Sequence, residues 1–244
     1  MTYKHYILLR FNQEWKNYNN HLNKEWMQQR FELFEKYMFQ SLLDQTNQNF
    51  EVLFALHPDT APEFVSKAFY MFKNTDNFSV VMLRKDVDFK NIIHSNADYV
   101  ITTRLDNDDM VHKNFIDAVQ QNFIPIHKLV LNPNPVVINY VETNEQFILT
   151  KQSNQFTSLV EEAGKIETIY FTPHPQLIKD CEHYKEVFLP TYEPLACFNV
   201  HKTNTCNLDN RYENYRKIKR YLEFKLTDFI KLENVSQKQL LNEV

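Results

Sequence analysis

The chain has 244 residues, is 43% hydrophobic and 14% aromatic, and carries a net charge of −4. This length suits one large domain or two small ones, and the charge argues against nucleic acid or a strongly anionic membrane as a partner held by bulk charge. A single glycine, Gly164, against a usual share of about 7%, excludes the glycine-rich dinucleotide fingerprint, the P-loop and the nucleophile elbow. Any phosphate must then be met by side chains or a metal, and asparagine is expected to take the left-handed turn positions that glycine would fill.

In chain order, His5–Phe11 reads as a buried strand. A polar stretch to about Asn23 follows, then a helix over Glu25–Leu43 with Phe31, Phe34, Met38 and Leu42 on one face. Phe50–Leu56 is a second strand. Thr60-Ala-Pro-Glu63 has the form of a capping box with proline in the first turn. Val65, Ala68, Phe69 and Phe72 continue it as an amphipathic helix. Phe78–Leu83 is a third strand, Phe89–His94 a short helix and Tyr99–Leu105 a fourth strand, and Ile116, Val119 and Phe123 mark the next helix. Strand and helix in alternation imply an α/β fold, with a mostly parallel sheet flanked by helices.

After Phe123 the pattern becomes irregular. Leu129–Leu131, Val136–Val141 and Gln146–Thr150 read as short strands separated by the turn-like NPNP and ETNE. Phe156–Glu162 reads as helix, Ile166–Phe171 as strand and Arg211–Ile230 as a long helix. The expectation is one domain over 1–244, with a nucleotide-binding half at 1–125, an acceptor and metal half at 126–210, and a C-terminal helix at 211–244.

Three cysteines, Cys181, Cys197 and Cys206, with no CxxC spacing, read as reduced thiols of a cytoplasmic protein. Cys197, His201 and Cys206 fit no common zinc spacing. The apolar run Tyr6–Leu9 is too short for a signal peptide, and no run approaches the ~20 apolar residues of a membrane span.

The segment TTRLDNDD ends the fourth strand with Asp106, Asp108 and Asp109 together. Ligands of open α/β sheets sit beyond the carboxyl ends of the strands. One or two aspartates would cap the following helix; three favour a hard cation, Mg2+ or Mn2+, bridging to a diphosphate. An EF-hand loop is excluded because Val111 stands where glycine is required and no late glutamate follows. A haloacid-dehalogenase phosphatase would carry its aspartates after the first strand, not the fourth.

TTRLDNDD, with the upstream RFELFEKYMFQSLLDQTNQNFEVLFALHPDTAP, resembles the rhamnosyltransferase-like branch of the GT-A glycosyltransferases. NQFTSLVEEAGKIETIYFTPH and PTYEPLACFNVHKTN resemble later segments of that family, with Lys202 and Thr203 standing in place of two glycines and no tryptophan after Pro190. The likeness covers about residues 5 to 205. It implies a GT-A fold and transfer of a sugar, rhamnose by the family's name, from a nucleotide-sugar donor to a glycan or lipid-linked hydroxyl. The alternatives are a sugar nucleotidyltransferase or phosphohydrolase, and a catalytically silent partner that binds sugar nucleotides.

The resemblance makes Asp106-Asn-Asp108 the DxD motif, with Asp106, Asp108, Asp109 and the late His201 as ligands of Mg2+ or Mn2+. His174 is the rival to His201. Asp59 would contact the base or cap the helix beside Thr60. Arg10 and Arg84, at strand ends, would reach the nucleotide, and Arg104, inside an apolar strand, would orient the aspartate loop. Glu161 is the expected general base, the alternative being a solvated helix face beside Glu162. Asp108→Asn is expected to abolish turnover and leave the fold intact. From Arg211 to Lys225 six basic residues flank an apolar stripe, which suits an anionic membrane surface; the protein's own core or a homodimer contact are the other uses of such a face.

Overall fold

The computed structural model describes residues 1–14, 20–143 and 145–204. Its strands are β1 (Tyr3–Arg10), β2 (Glu51–Leu56), β3 (Phe78–Met82), β4 (Tyr99–Asp106), β5 (Met110–Val111), β6 (Leu129–Pro133), β7 (Val136–Tyr140), β8 (Glu145–Leu149), β9 (Ser158–Glu162), β10 (His183–Val187) and β11 (Ala196–Val200). Its α-helices are α1 (Lys24–Phe34), α2 (Gln40–Leu43), α3 (Pro62–Phe72), α4 (Phe115–Gln121) and α5 (Leu177–Asp180). A π-helical segment, Glu35–Phe39, joins α1 to α2, so the expected Glu25–Leu43 helix forms with one wide turn inside it.

Seven strands make the main sheet in the order β10-β6-β9-β4-β1-β2-β3. All are parallel except β9, which runs antiparallel to both β4 and β6. The chain moves from β1 outward through β2 and β3, then returns to place β4 on the other side of β1. That reversal puts the carboxyl ends of β1 and β4 together at the topological switch point, where ligands of such sheets bind.

Both faces of the sheet are covered, which is why Tyr6–Leu9 of β1 and Val52–Leu56 of β2 read as unbroken apolar runs. Ile7, Leu9, Val52 and Phe54 face a core with Phe31, Phe34 and Phe72, whereas Tyr6, Leu8 and Leu53 face a second with Phe89, Ile169 and Tyr170. Phenylalanines dominate the first core: Phe54 lies 5.0 Å from Phe34 and 5.1 Å from Phe72 between ring centroids, in tilted and edge contacts that add to simple burial. A smaller sheet, β5-β11-β7-β8, takes the remaining strands, while β6, β9 and β10 of the irregular half extend the main sheet.

Several expectations change. The Phe156–Glu162 segment holds strand β9 from Ser158, not a helix: Leu159 enters one core and Val160 the other, so a strand buried on both faces lacks the alternation that would distinguish it from a buried helix. Ile166–Phe171 forms no regular strand and turns at Thr168, whose φ is 71°. The capping box at Thr60 does not form, since α3 starts at Pro62 with no side-chain cap, and Thr60 Oγ1 accepts from Asn12 Nδ2 at 2.9 Å. Among the described residues, positive φ is taken by Lys128, Ser153, Thr168 and Tyr192, and by no asparagine. The asparagines serve instead as buried hydrogen-bonding posts: Asn12, Asn107, Asn132, Asn134, Asn154 and Asn199 are all buried. Cys181 and Cys197 are buried free thiols. Cys206 and the expected helix over 211–244 lie outside the described residues.

Candidate active site

β1 and β4 are parallel and in register, so their last residues, Arg10 and Asp106, are direct neighbours. Arg10 Nε donates to Asp106 Oδ1 at 3.2 Å, and its Nη1 donates to Asp86 Oδ2 at 3.1 Å. Arg104, on β4, is buried; its Nη2 lies 3.9 Å from the same Asp106 oxygen. Both guanidinium groups stand against the ring of Tyr170, at 5.6 Å and 5.3 Å from its centroid, and the Tyr170 hydroxyl donates to the Leu8 carbonyl. Burial works to raise the Asp106 carboxyl, but Arg10 and Arg104 outweigh it and hold it below the usual range. His174, near this pair, donates its Nδ1–H to the Ser153 carbonyl at 2.8 Å, and burial lowers its pKa to about 4.

Asp108 turns the other way, into an almost closed cluster. Its Oδ2 accepts from Arg30 Nη1, from His201 Nε2 at 2.9 Å and from Asn204 Nδ2 at 3.3 Å. Burial alone would raise its pKa, yet Arg30 and His201 bring it to about 2. Arg30 comes from the buried face of α1, beside Met27, Phe31 and Phe34. Its guanidinium also donates to Asn107 Oδ1 at 3.2 Å and to the Thr203 carbonyl at 3.1 Å, and it stacks on Trp26 at 5.2 Å. The His201–Asn204 turn is closed by the His201 N–H donating to Asn204 Oδ1.

Asp109 turns inward. Its Oδ1 accepts from the Asn199 backbone N–H at 2.9 Å, fastening β11 to the aspartate loop, while its Oδ2 is buried with no hydrogen-bond partner. Burial, then Asp108 and Asp106, push its pKa well above the usual carboxylate value, which favours the protonated form.

The four residues expected to hold a divalent cation therefore do not converge. Asp106 faces Arg10 and Arg104, Asp109 faces Asn199, and only Asp108 and His201 meet, on an oxygen that already accepts from Arg30 and Asn204. Among the described residues, no group of three or more His, Cys, Asp or Glu side chains is placed to hold a metal ion. This donor set does not fit the expected oxygen-rich cage.

Glu161 is not at this end of the sheet. It pairs with Val100, near the start of β4, whereas Asp106 ends that strand; at ~3.3 Å per residue the two are separated by roughly 20 Å. Its carboxylate is buried and accepts the backbone N–H groups of Glu167 at 3.0 Å and Thr168 at 2.9 Å. Glu161 holds the turn at Thr168 and lies too far from the aspartates to be the general base expected from the sequence.

The remaining expected residues gather at the carboxyl ends of β1, β2 and β3. Arg84 Nη1 donates to Glu14 Oε1 at 2.9 Å, and its Nη2 lies 3.5 Å from Asp59 Oδ2. Beneath them His57, 1% exposed, accepts the Asp59 N–H on Nδ1 at 3.1 Å and lies 3.2 Å from Glu14 through Nε2. On the far side of His201, a cleft of about 360 Å³ opens between α1 and the ends of β7 and β11, with Glu32, Lys36, Glu142 and Lys202 on its walls. Sequence reasoning passed over Arg30, His57 and Tyr170. Arg30 had a visible signal, a charge set within the apolar stripe of an amphipathic helix. No helix among the described residues is long and apolar enough to cross a membrane, and the basic stretch from Arg211 lies outside them.

Among solved structures the chain is similar to S. aureus TarS 1–349 in complex with UDP-GlcNAc, with a TM-score of 0.49 and 12% identity over 90% of this chain and 68% of that chain. For the same fragment in complex with UDP the TM-score is 0.45, with 11% identity over 87% of this chain and 63% of that chain. No curated protein matches the sequence. The family described as "Putative rhamnosyl transferase" matches residues 16–187, more than half of the chain and a span that includes β4 and its three aspartates, and the protein belongs to that glycosyltransferase family.

Proposed function

We propose that this enzyme transfers a sugar, rhamnose on the family's description, from a nucleoside-diphosphate donor to a hydroxyl of a glycan or lipid-linked acceptor. The observation that carries this reading is the in-register meeting of Arg10 and Asp106 at the switch point, with Arg104 behind them. Cleavage of the anomeric C–O bond leaves the bonding pair, and so the growing negative charge, on the diphosphate. Cationic donors fixed in place before reaction stabilise that charge without reorganising. Arg10 and Arg104, braced on Tyr170, are such donors.

Asp106 keeps about a quarter of its side chain exposed, at 27%, and is free on that side to accept from donor hydroxyls. The Glu14–Asp59–Arg84 group over His57 lies further along the same strand ends, where the nucleoside end of a donor would extend. The cleft beside His201 combines side chains of both charges with a largely apolar lining, which can take the hydroxyls and the carbon face of a sugar acceptor. The cation expected from the sequence fits these residues poorly, so neutralisation of the leaving diphosphate is assigned to the arginines. Calorimetric titration with UDP, GDP and dTDP tests the reading. At least one should bind, and more tightly than its triphosphate. Failure of all three to bind overturns the donor assignment, and a triphosphate preference moves the reaction to nucleotidyl transfer.

A further inference from the structure

The sequence sets three aspartates within four positions, and the structure gives Asp108 a resident cation from its own chain. We propose that Arg30 occupies the place of a divalent cation at Asp108, so that donor binding proceeds without one. The catalytic half of this inference rests on the proposed glycosyl transfer; the half concerning metal affinity does not.

Three observations carry it. Arg30 is buried, at 4% exposure, and is held on four sides: by Asp108, by Asn107, by the Thr203 carbonyl and by the face of Trp26. A side chain so fixed gives up little further freedom in holding its partner, and the planar guanidinium is the cation best suited to a buried carboxylate. Next, three donors converge on the single oxygen Asp108 Oδ2: Arg30, His201 and Asn204. A Mg2+ or Mn2+ ion binding that oxygen would have to displace them, and would leave the Arg30 charge buried with no carboxylate, a strongly unfavourable arrangement. Finally, the other two aspartates do not converge on this oxygen: Asp106 turns to Arg10, and Asp109 turns inward to Asn199. With a single carboxylate in reach, a hard cation that requires about six oxygen ligands would draw most of them from water.

Arg30 does not touch the reacting atoms. It holds Asp108, and through the Asn107 and Thr203 contacts it ties α1 to the aspartate loop and to the loop carrying His201. It is a positioning residue, and the readout that separates this role from plain structural support is metal affinity. Loss of a structural arginine would lower stability and gain nothing; loss of an arginine standing in for a metal should create a metal site.

The experiment combines two titrations. In the first, free Mn2+ is followed by electron paramagnetic resonance as wild-type protein, Arg30→Gln and the double variant Arg30→Gln/Asp108→Asn are added. Arg30→Gln should bind Mn2+ at least tenfold more tightly than wild type, and the double variant should lose that gain. Equal or tighter binding by the wild type overturns the proposal. In the second, binding of UDP, GDP and dTDP to the wild type is measured in EDTA and in Mn2+. A change below twofold supports the proposal, and a dependence above tenfold overturns it; this arm decides the matter should Arg30→Gln fail to fold. If no nucleotide binds under either condition, the proposed transferase reading fails, and the Mn2+ titration still decides the place of Arg30.

Discussion

Arg10 and Asp106 stand side by side because two parallel strands, each ending in a charged residue, are aligned without offset, and the side chains meet at 3.2 Å. The same pairing that closes the sheet thus builds a cation–carboxylate couple at its ligand-binding edge. The pair is about a quarter exposed, at 28% and 27%, so its contribution to stability is small, on the order of 1 kcal/mol or less. In the proposed transferase its use lies in binding. Arg10→Gln should weaken nucleoside-diphosphate affinity about tenfold, equivalent to about 1.4 kcal/mol, with little change in Tm. Calorimetry and thermal unfolding on one preparation check both halves; a large fall in Tm with affinity unchanged would contradict the assignment.

Asp108→Asn should destabilise the protein, contrary to the expectation from sequence that the fold would be left intact. Repulsion among the aspartates is not what the substitution relieves, because Arg30 and His201 already answer Asp108. Removing the carboxylate leaves the Arg30 charge buried, a change that costs about 3 kcal/mol or more in comparable pairs. The folded-state pKa of Asp108 is depressed to about 2. Its contribution is therefore fully present above the unfolded value of roughly 4 and is lost as pH falls through about 2. Denaturant unfolding should show a wide gap between wild type and Asp108→Asn at pH 7 and a narrower one at pH 3. Asp109→Asn, at a carboxyl whose pKa is raised rather than lowered, should cost less at pH 7 than Asp108→Asn does.

Glu161→Gln should act on stability and leave the reaction alone. The carboxylate accepts one N–H on each oxygen, from Glu167 and Thr168. Glutamine keeps a single acceptor, so one buried N–H loses its partner, at a cost of about 1–3 kcal/mol. Nucleoside-diphosphate affinity and turnover per folded molecule should match the wild type. A folded variant with its turnover abolished would return Glu161 to the chemistry.

The difference between what was legible in the sequence and what was not has physical causes. The first-half strands were readable from short runs of β-branched and other apolar residues, most clearly in β1 and β2, with the amphipathic α3 between β2 and β3, and TTRLDNDD pointed to the end of the fourth. The aspartates' partners were not readable, since contacts such as Arg30 with Asp108, 78 positions apart, depend on how α1 lies across the strand ends. Glu161 was misplaced for a related reason. Once Phe156–Glu162 is a strand antiparallel to β4, its glutamate falls at the opposite end of the sheet from the aspartates. β10 escaped notice because its side chains are mostly half-buried and polar, His183-Tyr-Lys-Glu-Val187, and its place at the sheet edge carries no apolar signature.

His5 makes the fold acid-sensitive at a place away from the site. His5, on β1, is buried, and burial lowers its pKa to about 3. Gln120 Nε2 donates to its Nδ1 at 3.3 Å, which leaves Nε2–H to donate to Thr103 Oγ1 at 2.7 Å, and Thr103 in turn lies 2.5 Å from Ser158 Oγ. The imidazole is thus held neutral within a hydrogen-bonded chain crossing β1, β4 and β9. The unfolded chain takes up a proton on this residue near pH 6.5, whereas the folded protein does so only near 3. Stability should therefore fall as pH drops below about 6.5, and by pH 4 this residue alone accounts for a loss of up to about 3 kcal/mol. His174, lowered to about 4, adds to the slope in the same direction. His5→Gln removes the titrating group while keeping a donor and an acceptor. Urea unfolding between pH 7 and pH 4 should give a flatter stability profile for the variant than for the wild type. Parallel profiles would show that His5 is not the group that resists protonation in the fold.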